Sequence, residues 1–314
     1  PAARGERLSI SSPQTVGLAA GKWCPYGLEA DEPDDQRQEA GGSLVFDGEV
    51  VTEPFDMLGA PLVKLRISAD RPNAFIAAVL SEVLPDGGAT RLTYGLLNLT
   101  HRDGHVDLQP VEPGRFYDVV IKLNDCGQRI GKGSRLRLAI SSSYWPIAWP
   151  SPETATLTLD TSGCMLELPV RRPSPADEAL KPFEPAVNGP VLDKTEIRKP
   201  HSHYTVTRDI RSGEVVMERF QDDGKYRLDE IDWQYGVAQT RTYSIHPDDP
   251  LSARAETVFR KEFGREGLEL AVAGRLHMSV SETKFRFEAR LEAWENGERT
   301  FERDYRFDVP RDHV

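Results

Sequence analysis

Histidine is the residue type in this sequence best suited to acid–base or metal chemistry, and two close pairs occur. His101 and His105 flank an Arg-Asp step in LNLTHRDGHVD, after a predicted strand. Imidazole can transfer protons near neutral pH or bind a metal ion. Such a loop more often uses Arg102 and Asp103 to hold itself or a neighbour in place, and that interpretation is favoured here.

The second pair, His201 and His203, lies on one face at the start of a predicted strand, and His277 is a further candidate ligand. Zinc sites take three or four protein ligands in a tetrahedral arrangement. The spacing of these histidines does not provide that arrangement. We therefore predict exposed histidines and no metal site.

An acidic run, EADEPDDQRQE, could collect a hard cation through Asp31, Glu32, Asp34 and Asp35. Calcium prefers carboxylate oxygens, but these residues fit no complete calcium loop. A solvated acidic loop is the favoured interpretation.

Covalent catalysis by serine would require a Gly-x-Ser-x-Gly turn between a strand and a helix. The nearest string, GKGSR at residues 131–135, has serine in the wrong place and continues straight into a predicted strand. No phosphate-binding or dinucleotide-binding glycine motif is present either. The sequence therefore predicts no catalytic residue and no cofactor.

Aromatic side chains are concentrated in residues 134–153, SRLRLAISSSYWPIAWPSPE, where an alternating strand breaks into two Trp-Pro steps. Proline disfavours helix at the residue before it, so Trp145 and Trp149 should lie on an ordered loop. With Tyr144 and Trp23 they could form a platform for a sugar or an apolar group. Packing in a core or between domains is the more common use of such residues.

The elements that must position these residues are predominantly strands. Short β-like runs recur from Ser43 onward, separated by turns rich in Gly, Pro, Asn and Asp. About eight strands with little helical periodicity predict an all-β fold, for which a jelly-roll β-sandwich is the natural architecture. The alanine-rich run NAFIAAVLSEV is ambiguous, and its position between strands favours a strand.

Three segments follow from this pattern. Residues 1–170 are predicted to form the jelly roll with a loop-rich lead-in, and residues 171–200 a proline-rich linker without regular structure. Residues 201–314 should form an antiparallel meander with one wet face. Asn296-Gly297 predicts a tight hairpin, and DDG at 222–224 is expected to separate two strands.

Charge and cysteine content narrow the class of partner. The net charge is -11 and no basic cluster offsets it, which argues against nucleic acid or an anionic membrane surface. Three widely spaced cysteines form no disulfide framework, and neither a membrane span nor a secretory signal pattern is apparent. We therefore predict a cytoplasmic protein.

Three separated strings resemble a known family. They are DDQRQEAGGSLVFDGEVVTEPFDMLGAPLVKLRISAD, LPDGGATRLTYGLLNLTHRDGH and PGRFYDVVIKLNDCGQRIGKGSRLRLAISSSYWPIAWPSPE. They are similar, in the same order, to the C-terminal domain of X-Pro dipeptidyl-peptidases and cocaine-esterase-like acyl hydrolases. The resemblance covers roughly residues 5–170, and the ending FDVPRDHV is similar to extensions of some members.

The resemblance implies a non-catalytic role. In that family an α/β-hydrolase domain with a Ser-Asp-His triad precedes a galactose-binding-like jelly roll, so no triad residue can be assigned to this chain. The chain is then expected to stabilise an absent catalytic domain and to shape its substrate entrance. The expected contact residues are Trp23, His101, Arg102, Asp103, Tyr144, Trp145 and Trp149.

Two expectations accompany this hypothesis. The Trp-Pro loop should be unusually exposed in the isolated chain or be buried by a neighbouring molecule, and residues 201–314 could support a homo-oligomer. The alternative from another class is an autonomous carbohydrate-binding or adhesion module, which would use the same tryptophans.

Overall fold

The computed structural model describes residues 5–26 and 31–314, and the chain divides into two compact units. Unit 1 comprises Pro1–Pro173, His246–Leu251 and Arg311–Val314. Unit 2 comprises Ser174–Ile245 and Ser252–Pro310.

The regular secondary structure of unit 1 is almost entirely strand, which confirms the all-β prediction. The strands are β1 (Arg7–Ile10), β2 (Leu44–Asp47), β3 (Phe55–Gly59), β4 (Leu62–Ala69), β5 (Phe75–Val83), β6 (Ala89–Asn98), β7 (Tyr117–Lys122), β8 (Cys126–Ile130), β9 (Arg135–Ser141), β10 (Leu157–Asp160), β11 (Met165–Glu167) and β12 (Val170–Arg171). The helical segments are α1 (Arg37–Ala40) and the 3₁₀ turns Leu99–His101 and Thr161–Gly163.

These strands form three antiparallel sheets. Sheet 1 has the order β1-β10-β4-β11, with β7 also paired to β4. Sheet 2 has the order β2-β9-β5-β6, and sheet 3 the order β12-β3-β8.

The main core of unit 1 lies between sheets 1 and 2, which makes this unit a β-sandwich. In β4, Val63, Leu65 and Ile67 are buried and alternate with wetter residues, as the two-residue period of a strand predicts. Leu80 of β5 and Ile140 of β9 face them from sheet 2 within the same cluster.

Sheet 2 is also covered on its outer face. Ala77 and Val79 of β5 pack there in a second buried cluster with Val16 and Tyr144, which come from the lead-in and from the loop after β9. This double burial explains why NAFIAAVLSEV lacks polar alternation. The prediction of a strand for that run is confirmed by β5.

Two distant segments complete unit 1. The backbone N–H of Gln14 donates to the carbonyl of Pro247 at 2.8 Å. Arg311 is 4% exposed, and its guanidinium donates to the carbonyls of Pro150 and Val314. Nothing in the sequence indicated that these segments belong with the sandwich.

Unit 2 is an antiparallel sheet of eight strands, referred to below as sheet 4. Its order is β13-β15-β16-β17-β18-β19-β20, with β14 also paired to β15. The strands are β13 (Lys194–Arg198), β14 (His201–Arg208), β15 (Val215–Leu228), β16 (Trp233–His246), β17 (Asp249–Arg265), β18 (Leu268–Val280), β19 (Lys284–Glu295) and β20 (Glu298–Pro310). Its 3₁₀ turns are Pro175–Ala179 and Asp229–Ile231.

The hairpin predicted at Asn296-Gly297 is confirmed between β19 and β20. Both residues have positive φ, 50° and 84°, as a tight hairpin requires. Along β19, exposed charged residues alternate with half-buried Phe285 and Phe287, as expected for a strand with one solvent-exposed face. The edge strand β20 differs, because it is exposed on both faces.

Two expectations for this region were wrong. Asp222-Asp223-Gly224 does not separate two strands, because β15 continues through it with a bulge between Asp222 and Lys225. Gly224 has φ +80°, and its N–H donates to the Asp222 carboxylate at 2.8 Å, which accommodates the extra residues without a turn. The segment 171–200 is also not wholly irregular, since β13 pairs with the end of β15.

Within the residues described, no helix is long and apolar enough to cross a membrane.

Candidate functional site

The predicted exposure of the Trp-Pro loop is wrong for its first two aromatic residues. Tyr144 and Trp145 are each 1% exposed and are among the largest fully buried side chains of unit 1. Their position after a core strand suggested a surface loop. Instead, the lead-in crosses the outer face of sheet 2 and buries them.

The lead-in is held against this loop by main-chain contacts. The N–H of Trp145 donates to the carbonyl of Val16 at 2.7 Å. Gly17 adopts φ +112°, and a Cβ on that residue would come within 2.5 Å of the Trp145 carbonyl oxygen. Only glycine therefore permits so close an approach of the two backbones.

A buried carboxylate fixes the other side of the lead-in. The two carboxylate oxygens of Glu39 accept hydrogen bonds from the N–H groups of Gly17 and Ala19, at 2.5 Å and 2.6 Å. Desolvation raises the pKa of Glu39, while the two N–H donors act in the opposite direction. No local pattern indicated this role, since Glu39 lies in an otherwise polar run.

Tyr144 is anchored by Arg91 of β6. The Arg91 guanidinium donates to the Tyr144 hydroxyl at 2.9 Å and to the carbonyl of Ala20 at 2.7 Å, and it lies 4.6 Å from the centre of the Tyr94 ring. Burial raises the pKa of Tyr144 to about 12. The phenol is therefore neutral near neutral pH, and its contacts with Arg91 give it a structural role.

Trp149 is less buried than Trp145. It is half-buried, and its ring meets that of Trp145 edge-on with centroids 5.0 Å apart. Such a T-shaped pair is a favoured aromatic arrangement. Trp149 therefore completes the packing of the loop and keeps part of its surface open.

Trp23 differs from the other predicted aromatic residues. It is 75% exposed, and Tyr26 close by in the lead-in is 81% exposed. An exposed pair of large aromatic side chains is a common feature of recognition surfaces. The structure thus separates Trp23 from the buried loop with which the sequence grouped it.

The acidic run is only partly solvated. Glu32 and Asp34 are exposed, but Asp31 is fully buried and forms an ion pair with Lys22. The interpretation as a solvated loop is wrong for Asp31, which instead ties the run to the lead-in. No group of three metal-ligating side chains is found among residues 5–26 and 31–314, and Glu29 of the run lies outside the described residues.

The His101 loop forms a compact polar surface. Nδ1 of His101 and Nδ1 of His105 are 2.9 Å apart, a hydrogen bond in which one ring donates its N–H and the other accepts as a neutral imidazole. Desolvation, together with the nearby His105 and His313, lowers the pKa of His101. His101 is half-buried and Asp103 is exposed.

Arg102 holds this loop in place, as predicted from the Arg-Asp step between the two histidines. Its guanidinium donates to the carbonyls of Leu99 and Gln109, at 3.0 Å and 2.7 Å, and stacks 4.4 Å from the centre of the Tyr117 ring. Asp103 lies 3.3 Å away from it. These contacts make Arg102 a positioning residue for the loop.

The chain end lies against the same loop. The carbonyl of His313 accepts hydrogen bonds from Asn98 Nδ2 and Thr100 Oγ1, at 2.8 Å and 2.9 Å. The Asn98 side chain also caps the 3₁₀ turn that carries His101. The polar surface is therefore built from two distant parts of the sequence.

The remaining histidines are not brought together. His201 and His203 are both exposed on β14 and both contact the ring of Phe220. His277 lies on β18, which is separated from β14 by other strands of sheet 4. The prediction of exposed histidines is confirmed for the β14 pair.

Most of unit 1 matches a known protein family. Residues 3–179 match the family described as the X-Pro dipeptidyl-peptidase C-terminal non-catalytic domain, a match that spans more than half of the chain. The chain belongs to this family. The resemblance drawn from the three sequence strings is thereby confirmed.

Relatives with known names share the same part of the chain. Cocaine esterase of Rhodococcus sp. (strain MB1 Bresler) is 29% identical over 116 residues, a match that covers 36% of this chain and 20% of the esterase. The chain spans about a fifth of the length of the curated relatives it matches.

Two solved structures are also similar. One is an aminopeptidase from a marine sediment archaeon, Thaumarchaeota archaeon, with 20% identity, a TM-score of 0.48 and coverage of 55% of this chain and 34% of that chain. The other is an alpha-amino acid ester hydrolase, with 19% identity, a TM-score of 0.45 and coverage of 54% and 33%.

Proposed function

We propose that this chain is the accessory β region of a serine hydrolase of the X-Pro dipeptidyl-peptidase or acyl-esterase type. In this proposal it stabilises an α/β-hydrolase catalytic domain of the same polypeptide and shapes the entrance to its active site. The family match over residues 3–179 is the observation that carries the proposal.

Because Tyr144 and Trp145 are buried, they are removed from the set of residues proposed to contact the catalytic domain. Tyr144 and Trp145 are buried in unit 1 and act by supporting the lead-in. Trp23 and the His101–Asp103 loop supply the proposed contact surface, because Trp23 and Asp103 reach solvent and Arg102 fixes the loop. Trp149 contributes through its open edge.

The proposal is tested on the parent hydrolase, expressed with this chain intact or deleted. Deletion should lower the melting temperature and the activity of the catalytic domain. In the intact enzyme, Trp23→Ala should lower the melting temperature or raise KM for bulky esters, whereas Phe183→Ala, at an exposed aromatic residue of unit 2, should change neither. Equal stability and kinetics with and without the chain would refute the proposal.

A second candidate is a carbohydrate-binding or adhesion module, which the exposed pair Trp23 and Tyr26 favours. Aromatic faces can pack against the apolar face of a sugar ring. Calorimetric titration with a panel of glycans should then show saturable binding that Trp23→Ala abolishes. Retention of binding by Trp145→Ala, if that variant folds, would be expected because Trp145 lies in the interior.

The finer assignments belong to the same proposal. We propose that residues 1–170 form a galactose-binding-like jelly roll and that residues 201–314, apart from the segments 246–251 and 311–314 of unit 1, form a separate β domain. Residues 171–200 then connect the two and contribute β13 to sheet 4. The proposed partner is the catalytic domain, with a homo-oligomer through residues 201–314 as a further possibility tested by the oligomeric state after their removal. We also propose a cytoplasmic location, which the three free cysteines support.

A further inference from the structure

An apolar cavity opens between the two main sheets of unit 1, away from the surface discussed above. Its volume is about 310 Å³. Sheet 1 lines it with Leu65 of β4 and Leu159 of β10, and sheet 2 lines it with Leu136 and Leu138 of β9. The remaining apolar walls are Phe46, Met165, Leu166 and Leu168.

The polar groups around this cavity are already engaged within the protein. Both carboxylate oxygens of Asp47 accept hydrogen bonds from the Arg137 guanidinium, at 2.7 Å and 2.8 Å. The Thr161 hydroxyl lies 3.0 Å from the carbonyl oxygen of Glu6, and the Cys164 thiol lies 3.3 Å from the carbonyl oxygen of Asp160. A ligand would therefore meet apolar surface and saturated polar groups.

We propose that this cavity binds a small neutral hydrocarbon group, of the size of a bicyclic aromatic ring. Enclosed apolar cavities of about 150 Å³ bind benzene. This pocket has apolar walls of the same kind but is larger and open to solvent on one side, where Met165 is 57% exposed. Its volume also falls in the range of about 300–1,000 Å³ that is usual for ligand pockets. A charged ligand would lose its hydration and find no free partner, so binding selects against charge.

The proposal is independent of the proposed enzyme. Naphthalene is the probe that represents this chemistry.

The test uses the full 314-residue chain and saturation-transfer NMR with naphthalene, 1-naphthoate and the 1-naphthylmethylammonium ion. Naphthalene should bind saturably and raise the melting temperature, whereas the two charged analogues should not. Leu166→Trp fills the cavity and should weaken naphthalene binding by about tenfold or more. Val120→Trp, at a 56%-exposed position of β7, is the matched control and should bind as the wild type does.

A second filling variant, Leu168→Phe, covers the case in which Leu166→Trp does not fold. Circular dichroism verifies the fold of each variant. The proposal is overturned if the folded wild type shows no saturable naphthalene binding up to the solubility limit, if naphthoate binds as well as naphthalene, or if a folded filling variant binds like the wild type.

Discussion

At the scale of single residues, Trp145 and Trp23 have opposite environments although the sequence suggested one shared surface. Trp145 is 1% exposed and Trp23 is 75% exposed. Trp145 is buried because the lead-in packs against it at Val16 and Gly17. Their substitution should therefore affect different properties.

Trp145→Ala should lower the free energy of unfolding by about 3–5 kcal/mol, because it leaves a large cavity behind a well-packed loop. In the isolated chain, where Trp23 has no catalytic domain to contact, Trp23→Ala should change it by no more than about 0.5 kcal/mol, as is usual for exposed residues. Urea unfolding followed by circular dichroism measures both. A small effect of Trp145→Ala would show that the loop is not part of the core.

Asp47 at the rim of the cavity gives a pH-dependent prediction. The hydrogen bonds from Arg137 lower the pKa of Asp47 in the folded protein. Its contribution to stability is therefore complete above the ordinary aspartate pKa of about 3.9 and is lost as the pH falls through the lower folded value.

Asp47→Asn should cost no more than about 1 kcal/mol at neutral pH, since solvent screens this half-exposed pair. The difference in unfolding free energy between wild type and variant should shrink in acid. Urea unfolding across the acid range measures this difference. A difference that stays the same in acid would contradict the lowered pKa of Asp47.

The structural role of Arg102 could be predicted from the sequence, whereas the roles of Glu39 and Arg91 could not. The favoured structural use of Arg102 followed from a guanidinium and a carboxylate in one short loop, and the structure shows that use. Glu39 and Arg91 were missed because their partners are N–H groups and a phenol in segments remote in sequence. No local pattern carries that information.

At the scale of elements, the lead-in and the loop after β9 depend on one glycine. Gly17→Ala should lower the free energy of unfolding by about 2 kcal/mol or more, because it combines a positive φ with a clash against the Trp145 backbone. Gly5→Ala is the control, since Gly5 also has a positive φ but no atom within 4 Å of the added Cβ.

Thermal or urea unfolding of the two glycine variants measures the difference. The control should cost about 1 kcal/mol, from backbone strain alone. Equal costs for Gly5→Ala and Gly17→Ala would mean that the close approach of the two segments is absent.

Strands were predictable where one face is wet or where a turn requires positive φ. β4, β19 and the Asn296-Gly297 hairpin follow from alternation and turn chemistry. The bulge in β15 was not predictable, because Asp-Asp-Gly serves equally well in a turn, and only pairing with β14 and β16 selects the continuous strand. Five-residue β8 was missed for lack of alternating apolar residues.

At the scale of the whole molecule, unit 1 includes the last four residues of the chain. Arg311→Ala should lower the stability of this unit by about 2–3 kcal/mol, because a buried charged donor to the Pro150 carbonyl is lost. Asp312→Ala, at an exposed neighbour, should have little effect. Differential scanning calorimetry measures the melting temperature of both variants. Equal melting temperatures for Arg311→Ala and Asp312→Ala would contradict the role of Arg311.

The all-β class and the family were accessible from the sequence, because short strands, turn residues and three ordered strings are local features. The partition of the chain into its two units was less accessible. The inclusion of residues 246–251 and 311–314 in unit 1 rests on contacts such as that of Gln14 with Pro247, which join segments far apart in sequence.

We expect this non-catalytic β region to have no hydrolase activity of its own, because we propose that another domain of the same polypeptide supplies the chemistry. Turnover of p-nitrophenyl esters and X-Pro p-nitroanilides by the purified chain tests this directly. We expect rates no higher than those of buffer for both substrates. Saturable turnover that is lost when one of the chain's own serines is replaced by alanine would contradict this expectation.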